Sequence, residues 1–186
     1  NYKNLERLIP DIPPIETVAE KITAHAFEIE SCENGILDIK ILPNRYSDAA
    51  CYRGIAREIA AICKLPYKEA KIAAPKTKHK NKTVPVIEVP NLCRRLMTCR
   101  IEDISLGTAP TWMKDALEAY GIRSINGIVD ITNYVTIETG QPLHAFDANK
   151  MEGNELVARQ AHESETVETL DGKKIILNPS ALVLSD

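Results

Sequence analysis

The 186-residue sequence carries almost no excess charge, 23 basic against 26 acidic residues, so the chain as a whole lacks the electrostatic footprint of a nucleic-acid binder and any RNA contact must be local. It has no C-x-x-C pair and no Cys/His spacing suited to a structural metal. Its cysteines, Cys32, Cys51, Cys63, Cys93 and Cys99, are odd in number, which argues against a disulfide framework and for buried free thiols in a reducing cytosol. No apolar run approaches the length of a bilayer span, and NYKNLERLIP at the start has neither a basic cap nor an apolar signal core, so a cytoplasmic location is expected. A phosphate-cradling glycine loop and a paired-carboxylate cluster for magnesium are both missing, as is any internal repeat. What remains is 44% hydrophobic residues, enough for one ordinary domain or two small ones. A start without Met and a stop just after a strand-like ALVLSD suggest a piece of a longer chain.

Taken in order, the patterns predict an α+β protein. Pro13 and Pro14 introduce a helix with Ile15, Val18, Ala19, Ile22 and Ala26 at helical spacing. Phe27 and Ile29, then Leu37, Ile39 and Ile41, alternate with charged residues around Asn34-Gly35, which predicts a hairpin. A single helix is expected from about Asp48 to Lys64, burying Cys51, Ile55, Ile59 and Ile62. Arg53 and Arg57 lie one turn apart on it; a solvated face is expected, with phosphate contact as the alternative. The first domain is therefore 1–66. Residues 64–82 hold seven lysines and few apolar side chains, so 67–83 reads as an exposed linker able to attract an RNA backbone without reading its sequence.

The second domain is expected over 84–186. Met97, Cys99 and Ile101 alternate as a strand, Thr108 caps a helix that buries Met113, Ala116, Leu117 and Tyr120, and Gly121 ends it. Trp112 is expected in packing rather than as a stacking platform for a base. Later strands fall at 156–161, 166–170, 173–177 and 181–184, with Asp171-Gly172 as a hairpin turn. Between them lies GIRSINGIVDITNYVTIETGQPLHAFD, residues 121–147, whose polar residues Thr132, Asn133, Gln141 and His144 sit among apolar neighbours and beside Gly140 and Pro142.

That stretch, with NRYSDAACYRGIAREIAAI at 44–62 and TLDG at 169–172, resembles the beta subunits of bacterial phenylalanyl-tRNA synthetases over nearly the whole chain. The resemblance implies a small N-terminal domain followed by the first half of a B3/B4 editing domain. The oligonucleotide-binding insert of many members is absent, because Cys32-Glu33-Asn34-Gly35 joins the strands directly. The resemblance implies that the chain stops before the region that supplies the pocket's other wall, so little or no deacylation is expected of this piece alone. Implied partners are tRNA-Phe and an alpha subunit in a two-alpha, two-beta assembly. ATP and magnesium are expected to serve the whole enzyme, at the alpha subunit and not in this region.

The implied chemistry is hydrolytic proofreading. A pocket built for phenylalanine rejects an isostere that only adds a hydroxyl by about 100-fold, so a second, hydrolytic pocket must supply the rest. His144 has a side chain suited to orienting water near neutral pH, and the resemblance gives it, with Thr132, Asn133 and Pro142, to the editing pocket; Gln141 is a further substrate-contact candidate. The alternatives are a structural histidine and local helix capping by Thr132 and Asn133. At the level of function, a non-catalytic tRNA-binding or assembly scaffold and a free-standing trans-editing hydrolase stand beside the proofreading subunit.

Overall fold

Pro14, with ψ of 148°, holds the chain extended up to Ile15, where a helix begins. The computed structural model describes residues 1–69, 72–73, 82–169 and 172–186. They form two compact units, Asn1–Ala74 with Ser105–Ala145, and Pro75–Ile104 with Phe146–Asp186. The class is α+β, as the sequence predicts.

In the first unit a one-turn helix α1 (Lys3–Glu6) precedes α2 (Ile15–His25), whose Val18 and Ile22 are fully buried. Strands β1 (Glu28–Glu33) and β2 (Ile36–Lys40) pair antiparallel. Asn34 and Gly35 turn between them at φ of 51° and 73°, the two left-handed residues a tight hairpin requires.

The single helix expected from Asp48 is two. After a 3-10 turn at Pro43–Arg45 come α3 (Tyr46–Ala49) and α4 (Tyr52–Cys63), with Cys51 between them at φ −162° as the cap of α4, its Sγ accepting from the Gly54 amide at 3.3 Å. The cause is the close approach of the α3 backbone to Gly54, where a Cβ would lie 2.0 Å from the Asp48 carbonyl oxygen. Arg45 fixes the corner with hydrogen bonds to Asp48 and Glu58 at 2.7 and 3.0 Å.

Two further helices, α5 (Thr111–Glu118) and α6 (Gly127–Thr139), complete this unit. Thr108 does not cap α5. Pro110 precedes its first residue, and the chain before it is drawn to α6, where the Gly127 amide donates to the Gly107 carbonyl at 2.8 Å. Met113 and Leu117 of α5 and Ile137 of α6 share one core with Val18, Ile22, Ile55 and Ile59. Segment 105–145, grouped by the sequence with the domain from residue 84, thus packs with the N-terminal helices. Trp112 and Tyr120 are not buried: they are 56% and 50% exposed, and Trp112 meets Tyr134 edge-to-face at 5.1 Å.

In the second unit β3 (Val84–Ile87) runs parallel to β4 (Glu155–Gln160). Strands β5 (Thr166–Glu168) and β6 (Lys174–Ile176) form an antiparallel hairpin that continues as the Thr169 amide donates to the Lys173 carbonyl at 2.9 Å. Leu170, expected to end the first strand, and Asp171, expected in the turn, lie outside the described residues, as does most of the lysine-rich stretch. The last strand, β7 (Leu182–Ser185), is antiparallel to β4, giving the order β3-β4-β7. Met97–Glu102 is not a strand. Its alternation finds no sheet neighbour, and Met97 and Ile101 are 80% and 71% exposed.

Arg159 of β4 grips Glu165 with two hydrogen bonds of 2.8 and 3.0 Å, and the His162 amide donates to the same carboxylate at 2.7 Å. The guanidinium first and the amide second hold the Glu165 carboxyl at about 2, well below its ordinary value of 4.5. A carboxylate lowered on folding stabilises fully above its unfolded value and loses that contribution as the pH falls through the folded one. Protection of the β4 amides from hydrogen exchange is therefore expected to decline below pH 4.5 and toward 2, and Glu165→Gln to flatten that decline. An unchanged pH profile in the variant would separate this pair from acid lability.

The cysteines are free thiols, but only Cys51 is buried; Cys32 and Cys99 are exposed, and Cys63 and Cys93 intermediate.

Candidate functional site

Helix α6 is positioned from its first turn. Asn126 is extended, and its side-chain oxygen accepts from the Ile128 and Val129 amides at 3.1 and 3.0 Å, satisfying two of the helix's unpaired donors. Asp130, wholly buried, accepts from the Ser124 hydroxyl at 2.6 Å and the Ile125 amide at 2.8 Å, so the preceding loop folds back on the helix. Gly140, at φ 77°, ends α6.

Thr132 and Asn133 lie mid-helix and half-buried, so neither caps it. The Thr132 hydroxyl donates to the Val129 carbonyl at 2.8 Å, and Thr136 and Thr139 do the same toward Thr132 and Val135 at 2.9 and 2.7 Å. Gln141, Pro142 and His144 follow the helix in an exposed segment. The Gln141 amide donates to the Thr139 hydroxyl at 3.3 Å, while His144 makes no hydrogen bond or ion pair among the described residues. The structure therefore brings Thr132 and Asn133 together on α6 and leaves His144 in solvent beyond its end. None of the five residues lines the cavity of about 460 Å³ in this unit, which is bounded by Tyr2, Leu37, Cys51, Tyr52, Ile55 and Tyr120, among others. Desolvation raises the hydroxyl of buried Tyr52 and, on the cavity rim, that of half-exposed Tyr120.

Sequence reasoning missed Glu138. Its side chain is 7% exposed and accepts from Arg7 and, at 3.3 Å, from Arg53 Nε. Arg53, 17% exposed, is therefore an internal ion-pair partner and not part of a solvated face, whereas Arg57 is exposed, pairs with Glu69 and lies over the Tyr67 ring. One signal for Glu138 was available. Tyr134 and Pro142 flank it four residues away, so a carboxylate in the apolar run VTIETG had no cation within reach on its own helix.

A family match to the B3/4 domain covers residues 92–186. The chain belongs to the B3/4 domain family. The B3/4 match takes in all five predicted site residues and runs through both compact units. Among relatives, the chain is 38% identical over 178 residues to the phenylalanine–tRNA ligase beta subunit of Carboxydothermus hydrogenoformans, covering 94% of this chain and 21% of that one. It is 41% identical over 157 residues to the beta subunit of Dehalococcoides mccartyi, 81% and 19% of the two chains. With that of Neisseria meningitidis it shares 38% over 181 residues, 96% and 22%. The chain spans about a fifth of the length of the curated relatives it matches. Among the described residues no group of three or more His, Cys, Asp or Glu side chains is placed to hold a metal ion, and no helix is long and apolar enough to cross a membrane.

Proposed function

We propose that this chain is part of a phenylalanine–tRNA ligase beta subunit, and that α6 with the Gln141–His144 segment forms one wall of a hydrolytic site for mischarged tyrosyl-tRNA-Phe. The observation that carries it is the B3/4 match across 92–186, which includes every candidate residue, together with beta-subunit relatives matched along 94% of the chain. Charging of tRNA-Phe, with ATP and magnesium, then belongs to the assembly with an alpha subunit in the cytoplasm.

Hydrolysis of an aminoacyl ester needs a placed water and donors for the oxyanion. The Thr132 proton is committed to Val129, which leaves its oxygen an acceptor, suited to a ribose hydroxyl or the amino group of the ester. The Asn133 side chain, without a hydrogen bond among the described residues, offers the amide donor. Pro142 stiffens the backbone two residues before His144, whose exposed imidazole orients the water, and Gln141 contacts the substrate.

In the complete protein with its alpha partner, His144→Ala is expected to slow tyrosine release from mischarged tRNA-Phe by about tenfold or more. Its melting temperature should not change, because the side chain is exposed and unbonded. Equal rates would remove His144 from the mechanism. The exposure of His144 favours a second reading, a scaffold for tRNA binding and assembly, for which the complete protein would charge tRNA and release no tyrosine. Release without any alpha subunit would instead mark a free-standing hydrolase.

A further inference from the structure

We propose that Arg7 and Arg53, which lie outside the matched domain, are positioning residues for the hydrolytic segment and act through Glu138; this rests on the reading of Gln141–His144 just given. Glu138 is the next-to-last residue of α6. A carboxylate there is disfavoured twice, by its removal from water and by the carbonyl ends of the last helical turn. The two guanidiniums offset both. Arg7 follows α1, and Arg53 comes from the first turn of α4, so one buried side chain ties the end of α6 to two elements distant in sequence.

Two residues on, Gly140 rests against the same N-terminal structure. A Cβ at that position would lie 3.5 Å from the Cβ and Sγ of Cys51, the residue that caps α4. The hydrolytic segment leaves α6 at this point. Gln141, Pro142, Leu143 and His144 are all exposed, and among the described residues the His144 side chain makes no hydrogen bond. The contacts at Glu138 and Gly140 therefore set where the segment starts and which way it leaves. The N-terminal region, for which the B3/4 match has no counterpart, is part of the site's geometry. A displacement of about 1 Å at a reacting group costs as much as a hundredfold in rate, so a loosened clasp is visible in turnover.

The experiment uses the complete beta subunit with its alpha partner and compares Arg53→Met, Arg53→Lys and Glu138→Gln with the parent. Arg53→Met and Glu138→Gln are each expected to lower kcat for tyrosine release about tenfold, with KM and phenylalanine charging unchanged. Arg53→Lys keeps the cation and recovers most of the rate. Hydrogen exchange of the Gly140 amide, which donates to the Thr136 carbonyl, and of the Gln141 amide, which donates to the Thr139 hydroxyl, rises in the methionine variant and not in the lysine variant. If Arg53→Met does not fold, Arg7→Ala gives the same comparison, because that side chain is 40% exposed and water can replace it. The proposal is overturned if release and charging fall together, if lysine is no better than methionine, or if exchange at the Gly140 and Gln141 amides does not change. Should the complete enzyme release no tyrosine, the hydrolytic reading fails by itself, and the exchange measurement still decides whether the two arginines hold the segment.

Discussion

Gly54→Ala is expected to destabilise the first unit by about 4 kcal/mol, or to prevent its folding. The sign is the opposite of what helix propensity gives, since alanine in place of glycine inside a helix normally gains about 1 kcal/mol. The new Cβ would sit 2.0 Å from the Asp48 carbonyl oxygen and 2.8 Å from the Ala49 Cα. Both are backbone atoms, so no side-chain rotation relieves the clash, and α3 itself must move. Moving it strains the Cys51 cap on the Gly54 amide and the Arg45 hydrogen bonds to Asp48 and Glu58. Urea denaturation of the variant measures the loss, and stability equal to the parent's would refute the close approach.

Leu117→Ala is expected to cost about 3 kcal/mol, in the usual range for truncating a fully buried leucine. The more informative part is where the cost is felt. Leu117 lies in the same core as Val18, Ile22 and Ile59, although α5 is separated from α2 and α4 by more than forty residues of chain. Hydrogen exchange should therefore accelerate in α2 and α4 as well as in α5 and α6. Acceleration confined to α5 and α6 would mean that 105–145 folds apart from the N-terminal helices.

These two variants also mark where the sequence stopped being legible. Signals that act within a few residues were readable. Asn34-Gly35 specified its turn and Pro14 the start of α2, because each depends on backbone sterics of the residue itself. Signals that depend on a distant neighbour were not. The helical pattern runs unbroken through Cys51, and only the α3 carbonyl beside Gly54 explains the break. Met97–Glu102 alternates like a strand but has no sheet to join. Arg53 reads as surface until Glu138 is placed beside it. The candidate site divides the same way: family resemblance picked out Thr132, Asn133, Pro142 and His144, with Gln141 added as a further candidate, while their exposure and the direction of the Thr132 proton are properties of packing.

The threonines of α6 give the helix a character its letters conceal. With the protons of Thr132, Thr136 and Thr139 spent on carbonyls of the preceding turn, each side chain keeps only acceptor capacity at its oxygen beside an apolar methyl. Positions 132, 136 and 139 recur at helical spacing, so these side chains share one flank of the helix. Along that flank the hydroxyls can take hydrogen bonds but no longer give them, so a contacting surface rich in donors would suit it better than one rich in carboxylates.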